Sequence, residues 1–268
     1  MRLDNIPMVC ISLERRPERW NTFQAHAAGA GLPVKKLPAV DAKSFQTKAH
    51  EHPDISVLTA HNIYYGVRRS HYEIDAAGAI GCSLSHYEAW RQLLASSAPA
   101  MIIFEDDSPV PADLRARLEA LQLPDDWDII QFQRTEFSNG SSCKPIPGEE
   151  PWHVCMGLMG SYAYMISRRG AQRMLEKAYP IELHMDAYMA FMSRIGAVRM
   201  LWHPSINIPQ PTGDSDIAHG SQGILQMPTQ MELDGYVGME TKSLLGLLAM
   251  AAIAGAMLSL AYGPTRTR

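Results

Sequence analysis

The chain has 268 residues, of which 46% are hydrophobic and 19% are charged. This balance excludes disorder as the dominant state, because disordered chains combine few apolar residues with a high net charge. The length suits one large core or two small domains. The net charge of −4 offers no broad positive field, so we expect no nucleic acid partner.

The cysteines and the two ends of the chain indicate its compartment. Four cysteines are too few and too scattered for a disulfide scaffold, so we expect reduced thiols and a cytoplasmic location. The first residues show no export signal. Residues 243–265 contain no charged side chain and are long enough to cross a bilayer as a helix. The sequence predicts membrane anchoring through this segment, with a buried C-terminal helix as the alternative.

Apolar runs alternate with helix-like segments along the first 215 or so residues, which predicts an α/β fold. Helices are expected after the first strand, with Pro17 in the first turn, from about residue 85, near Arg168 and over 181–195. The segment 42–75 lacks periodicity and is predicted to be a long loop. Strands are expected at 8–13, 32–40, 101–104, 128–132 and 160–166.

Three adjacent carboxylates, Glu105, Asp106 and Asp107, directly follow the apolar strand at 101–104. Open α/β sheets bind ligands at the carboxyl ends of their strands. Adjacent negative charges are costly unless a cation neutralises them, and carboxylate oxygens suit Mg²⁺ or Mn²⁺. One interpretation is a metal–diphosphate site, and the other is a solvated acidic turn. The first fails if the side chains face away from any cleft or are paired with lysines and arginines.

Residues 78–86 combine glycines with polar side chains ahead of an apolar helical face. Ser85 and Glu88 have the spacing of a capping box, which predicts a helix N-terminus there. Gly81 would then allow close approach of a ligand to exposed amides, and Ser83, Ser85 and His86 would add polar contacts. The alternative is a capped helix without a ligand.

A group of arginines, Arg15, Arg16 and Arg19, lies just past the first strand. Arginine forks match the geometry of phosphate oxygens. The alternative is a solvated helix start.

Asp186 lies among apolar neighbours on the helix predicted at 181–195. A carboxylate on such a face is costly without a function or a partner. Burial would raise the pKa of Asp186 toward the range that suits a general base. A structural partner such as an arginine is the alternative.

Eight segments in this order resemble glycosyltransferase family 25, the group containing lipopolysaccharide or lipooligosaccharide galactosyltransferases and procollagen galactosyltransferases. The resemblance extends over most of residues 8–217. The segments are VCISLERRPERW (9–20), PAVDAK (38–43), GAIGCSLSHYEAW (78–90), IIFEDD (102–107), DWDIIQF (126–132), GSYAYMISRRGAQRML (160–175), HMDAYM (184–189) and SDI (215–217).

The resemblance implies a GT-A-like, Rossmann-like nucleotide-sugar-binding domain with a mixed, mainly parallel sheet over residues 1–217. A linker at 218–242 and the hydrophobic segment at 243–265 would follow it. The implied activity is inverting, metal-dependent transfer of a hexose, usually galactose from UDP-galactose. The acceptor would be a saccharide, a lipid-linked saccharide or a protein hydroxyl, in lipopolysaccharide or other glycoconjugate biosynthesis.

The resemblance implies a role for the acidic cluster, and the residue patterns above supply candidates for the other roles. Glu105, Asp106 and Asp107 stand at the metal motif of the family and would bind Mn²⁺ or Mg²⁺. Asp186 is the first candidate for the general base and His86 the second. The residues expected to bind the nucleotide sugar are Arg16, Arg19, Asp41, Gly81, Ser83 and Ser85. Two other functions stay open: a non-catalytic binding or adhesion member of the family, and a metal-dependent phosphohydrolase.

Overall fold

The computed structural model describes residues 3–134 and 142–211. The chain divides into two compact units, the larger formed by residues 1–68 and 72–226. Every described residue outside 69–71 belongs to the larger unit, whose architecture follows. The predicted linker at 218–242 and hydrophobic segment at 243–265 lie outside the described residues and stay predictions.

The described residues form one eight-stranded sheet in the order β2-β1-β3-β7-β4-β8-β6-β5. Strands β6 and β7 run opposite to the other six. An α/β fold with a mixed, mainly parallel sheet is therefore confirmed. The strands are β1 (Met8–Ser12), β2 (Lys35–Pro38), β3 (Ala100–Glu105), β4 (Ile129–Gln131), β5 (Ser142–Pro145), β6 (His153–Met156), β7 (Ala163–Ser167) and β8 (Met200–Trp202).

Helices cover both faces of the sheet. The helices are α1 (Pro17–Gly29), α2 (Val57–Tyr65), α3 (Ala77–Ala95), α4 (Leu114–Glu119), α5 (Arg168–Glu176) and α6 (Met185–Arg194). One core contains buried side chains of α3, α5 and α6, and the other contains those of α1 and α4. Strand β3 alternates between these cores: Met101 and Ile103 belong to the first, and Ile102 and Phe104 to the second. This alternation explains why its sequence is apolar throughout.

The segment at 42–75, predicted to be a loop, contains helix α2 and short 3-10 turns at Ala42–Ser44 and Ala49–Glu51. The Ser56 hydroxyl caps α2 by accepting from the Thr59 amide at 3.2 Å. The buried side chains of α2 are polar. The Thr59 hydroxyl donates to the Ile181 carbonyl, and the Asn62 amide donates to Glu73, both at 3.0 Å. The loop prediction was wrong because these polar side chains leave no apolar periodicity.

The helix start predicted at Ser85 is also wrong, because α3 begins at Ala77. The Ser85 hydroxyl instead donates to the Gly81 carbonyl at 2.6 Å and accepts from the Val40 amide at 2.8 Å. It thereby joins α3 to the chain that follows β2. Gly81 lies against the same segment, and a Cβ there would lie 2.4 Å from the Val40 carbonyl oxygen. The close approach that this glycine permits is between two parts of the protein.

Two further expectations concern the cysteines and the membrane. A disulfide joins Cys143 of β5 to Cys155 of β6, so the expectation that all cysteines are reduced is wrong for this pair. Cys10 and Cys82 are free. Within residues 3–134 and 142–211, no helix has the length and apolar character needed to cross a membrane.

Replacing Gly81 with alanine should lower the free energy of unfolding by about 1–3 kcal/mol, as overpacking in a tight site does. The added methyl group would meet the Val40 backbone oxygen, which cannot rotate away as a side chain can. Gly29→Ala is the matched control, since no atom lies within 4 Å of a Cβ at this residue of α1. It should be neutral or slightly stabilising. Denaturant titration compares the two variants, and equal stabilities would contradict the packing role of Gly81.

Candidate active site

The carboxyl ends of β1, β2 and β3 and the start of α3 surround a cavity of about 300 Å³. This is the edge at which α/β sheets commonly bind ligands. Most of the predicted site residues line it: Arg19, Asp41, Ser85, His86, Glu105, Asp106 and Asp107. The other predicted residues, Arg16, Gly81, Ser83 and Asp186, are not among the lining residues.

The acidic cluster, Glu105, Asp106 and Asp107, faces this cavity but is not free of basic partners. Arg19 Nε donates to Asp106 Oδ1, and its Nη2 donates to Asp107 Oδ2, both at 2.8 Å. The first condition for a cation site, a cleft in front of the carboxylates, is therefore met. The second condition, carboxylates free of basic partners, is met only in part: Arg19 pairs with two of the three, and Asp107 Oδ1 keeps no hydrogen-bond partner among the described residues.

Glu105 is fixed at the end of β3 by its neighbours. Its Oε1 accepts a hydrogen bond from the Ser161 hydroxyl at 2.6 Å and lies 3.4 Å from His86 Nε2. Burial acts to raise the pKa of Glu105. The interactions with His86, Ser161 and Arg19 outweigh burial and hold that pKa below its usual value. Glu105 is thus held as a carboxylate.

Asp107 is the unsatisfied member of the acidic cluster. Its Oδ1 is buried and has no hydrogen-bond partner among the described residues. Burial, followed by the negative charge of Glu105, raises the pKa of Asp107 to about 6. An unpartnered carboxylate oxygen beside two more carboxylates fits a hard divalent cation. The residues present therefore suit the predicted Mn²⁺ or Mg²⁺.

His86 is a fully buried residue of the cavity wall. Its Nδ1 lies 2.9 Å from Tyr164 Oη, and that hydroxyl also accepts from Trp90 Nε1 at 2.9 Å. The imidazole is therefore held in one orientation by aromatic side chains.

Asp186, the first candidate for the base, lies half-buried in the first turn of α6. Its Oδ1 accepts from the Ala187 amide at 2.7 Å. The Asp186 charge reaches Cys82 of the cavity wall. Burial raises the pKa of the Cys82 thiol first, and the charges of Glu105, Asp186 and Asp107 raise it further. Asp186 is thus near enough to act electrostatically on the cavity wall without being a lining residue, and its role as base stays a prediction.

The predicted phosphate ligands lie in different surroundings. Arg16 pairs with Glu18 at 2.6 Å on the surface. Arg15 lines the cavity instead, where it donates to Asp41 at 2.8 Å. Gly81 and Ser83 are buried within α3, away from the helix end at which amides are exposed.

Cys82 and Lys43 of the cavity wall were missed by the sequence analysis. Cys82 lies four residues before His86, which places both side chains on one face of α3. The spacing of four residues between Cys82 and His86 could have indicated this shared face. It does so only if both residues lie in the helix, and the predicted helix started at Ser85, after Cys82.

This α/β protein has its acidic cavity at the carboxyl edge of its sheet, the place where open α/β sheets bind ligands. The chain belongs to glycosyltransferase family 25: the sequence model of the protein family described as "Glycosyltransferase family 25 (LPS biosynthesis protein)" matches residues 5–189. The match contains the acidic cluster, His86 and Asp186. Membership supports a transferase.

Some of the curated relatives carry the word inactive in their names, and others do not. A glycosyltransferase 25 family member of Aedes aegypti is 30% identical over 190 residues, covering 68% of this chain and 30% of the mosquito protein. A probable inactive glycosyltransferase 25 family member 3 of Rattus norvegicus is 27% identical over 171 residues, covering 62% of this chain and 29% of the rat protein. The chain therefore spans less than a third of the length of these relatives.

In metal-free protein, Asp107 should make stability fall as pH rises from about 4 to about 6. Its pKa is raised from 3.8 in the unfolded chain to about 6 in the fold. Folding therefore favours the protonated form, and this preference is lost once both states ionise. Asp107→Asn should remove this decline. The change in unfolding free energy that it causes should be more favourable at pH 7 than at pH 4 by about 1–3 kcal/mol. Denaturant titrations with chelator measure the difference.

Asp126→Asn is the control of opposite sign. Hydrogen bonds from Arg169 and Arg199 lower the pKa of Asp126, so its removal should cost stability at pH 7. If the stability of Asp107→Asn depended on pH in the same way as that of the wild type, the raised pKa of Asp107 would be contradicted.

Proposed function

We propose that this chain is an inverting hexosyltransferase that uses a divalent cation, with UDP-galactose as the first candidate donor. The observation that carries the proposal is the unpartnered, buried Asp107 Oδ1 in a cavity whose three carboxylates are only partly neutralised by Arg19. Family membership supports transfer of a sugar. The donor sugar, the stereochemistry and the cation are the finer parts of the proposal.

The acidic cluster would hold Mn²⁺ or Mg²⁺, with Asp107 offering the oxygen that has no protein partner. When bound, such a cation stabilises negative charge on a leaving diphosphate as a Lewis acid. Arg19 restrains Asp106 and Asp107 by its paired hydrogen bonds, and Ser161 restrains Glu105. These side chains therefore keep the oxygen donors in place before any ligand arrives.

Other wall residues would contact the donor. Arg15 and Lys43 supply positive charge beside the acidic cluster, which suits phosphate oxygens. Arg15 is oriented by its hydrogen bond to Asp41, so Asp41 acts in the proposal by positioning that guanidinium.

The acceptor hydroxyl must lose a proton as it attacks the anomeric carbon. Of the two predicted bases, His86 is fully buried, with one nitrogen beside Tyr164 and the other beside Glu105. Asp186 is partly exposed, and its Oδ2 makes no hydrogen bond to the described residues. We therefore assign the base to Asp186, with an expected contribution of about 10²–10⁴-fold to the rate.

The acceptor in the proposal is a saccharide, a lipid-linked saccharide or a protein hydroxyl. The family description names lipopolysaccharide biosynthesis, which favours a saccharide acceptor of that pathway type. Membrane association through residues 243–265 completes the proposal.

A donor screen tests the proposed function. The full chain is incubated with Mn²⁺, a panel of UDP- and GDP-sugars and the three acceptor types, and nucleoside diphosphate release and product are measured. UDP-galactose should be consumed in an acceptor-dependent way, and the anomeric configuration of the product should be inverted. Sugar nucleotide binding without turnover would instead favour a non-catalytic member, which the inactive names among the relatives make a specific rival. Release of inorganic phosphate without preference for a nucleoside would favour a phosphohydrolase.

Asp107→Ala should reduce transfer by at least about 100-fold, because it removes an oxygen donor for the cation. Asp113→Asn is the matched control. Asp113 pairs with Arg117 on the exposed surface, away from the cavity lining, and its loss should leave kcat/KM unchanged. Retained turnover in Asp107→Ala would refute the assignment of the acidic cluster.

A further inference from the structure

Three side chains of different chemistry converge in the cavity wall. Cys82 and His86 lie one helical turn apart on α3, and Glu105 approaches them from the end of β3. The Cys82 sulfur, a ring nitrogen of His86 and a carboxylate oxygen of Glu105 all lie within 4.8 Å of one another. A helix and a central strand thus present three potential metal ligands at one place.

The second observation is the state of the His86 ring. His86 is fully buried, and its Nε2 has no hydrogen-bond partner among the described residues. That nitrogen lies 3.4 Å from Glu105 Oε1 without the geometry of a hydrogen bond. The opposite nitrogen, Nδ1, lies 2.9 Å from Tyr164 Oη. One nitrogen tethered to a fixed polar group and the other directed at a shared point is the usual arrangement of a metal-binding histidine.

We propose that Cys82, His86 and Glu105 form a zinc site, distinct in its donor atoms from the oxygen ligands of the acidic cluster. One thiolate sulfur, one imidazole nitrogen and one carboxylate oxygen match the ligands that Zn²⁺ takes in proteins. Mg²⁺ and Mn²⁺ prefer oxygen alone. The choice of ion follows from the sulfur and nitrogen, which the acidic cluster lacks.

Zinc binding would release the thiol proton of Cys82 to solvent, because the thiolate is the ligand. The negative charges of Glu105, Asp107 and Asp186 oppose that ionisation in the metal-free protein. A bound dication reverses the sign of the local field and favours the thiolate. All three ligands also line the cavity, which leaves a fourth coordination position for water or another ligand.

The zinc site shares Glu105 with the acidic cluster. On the proposed function, zinc at Cys82 and His86 would draw Glu105 away from the donor-binding cation and inhibit transfer. The zinc site itself does not depend on that function, and its test requires no turnover.

Titration of the full chain with Co²⁺ tests the site directly, because a thiolate bound to Co²⁺ gives a charge-transfer absorption that oxygen ligands do not give. We expect this band to saturate at one equivalent in the wild type and to vanish in Cys82→Ser. Cys10→Ser is the matched control and should keep the band. The two variants together identify the thiolate, because two of the four cysteines form the disulfide and only Cys10 and Cys82 are free. A wild type without the band, or an undiminished band in Cys82→Ser, would overturn the proposal.

Zn²⁺ affinity, measured by competition with a chromophoric chelator, separates the two cation sites. Cys82→Ser should weaken the high-affinity Zn²⁺ site by more than about 100-fold, and Tyr164→Phe by about 10–100-fold through loss of the group that orients His86. Asp107→Asn should keep this site and the cobalt band even if it abolishes transfer. Loss of both in Asp107→Asn alone would place the metal at the acidic cluster and refute the zinc site.

A measurement on the unmodified chain covers the case of a variant that does not fold. Zn²⁺ should slow alkylation of Cys82, followed by peptide mass spectrometry, at least about 10-fold. An alkylation rate of Cys82 that is indifferent to Zn²⁺ would overturn the proposal.

Discussion

Three carboxylates share the end of β3, and one guanidinium, that of Arg19, lies between two of them. The negative charge of this cluster affects the titration of residues around the cavity. Arg19 ties the start of α1 to the end of β3. Burial first, and the negative charge of the neighbouring carboxylates after it, raises the pKa of Asp107 and of the Cys82 thiol. The fold can hold such a cluster because its strands supply a rigid apolar base for it.

Helix α3 carries two kinds of residue on different faces. Gly81 and Ser85 contact the chain after β2 and set how closely the helix approaches the sheet. Cys82 and His86 are then presented to Glu105. A shift of α3 along the sheet would therefore alter packing and chemistry together. The proposed transferase and the proposed zinc site both depend on that one register.

The sequence predicted the elements whose signal is local. Strands β1, β3, β4 and β7 are apolar runs, and the acidic cluster follows β3 directly, so its position at the cavity edge was predictable. The pairing of Arg19 with Asp106 was not, because it joins residues far apart in the chain. The start of α3 was missed because Gly81 and Ser85 are explained by a distant partner, Val40, and not by a helix cap. The disulfide likewise depends on a strand pairing that no spacing reveals.

The chain leaves the cavity wall at Lys43 and returns to it at Ala77. Both ends of the intervening segment, which includes α2, therefore lie at the rim of the same cavity. The segment between them is not an independent loop, because Ile55 and Glu73 form β-bridges with Ile181 and Leu183 just before α6. The Thr59 hydroxyl of α2 also donates to the Ile181 carbonyl. Insertion of residues into this segment would therefore disturb the approach to α6 as well as the cavity rim.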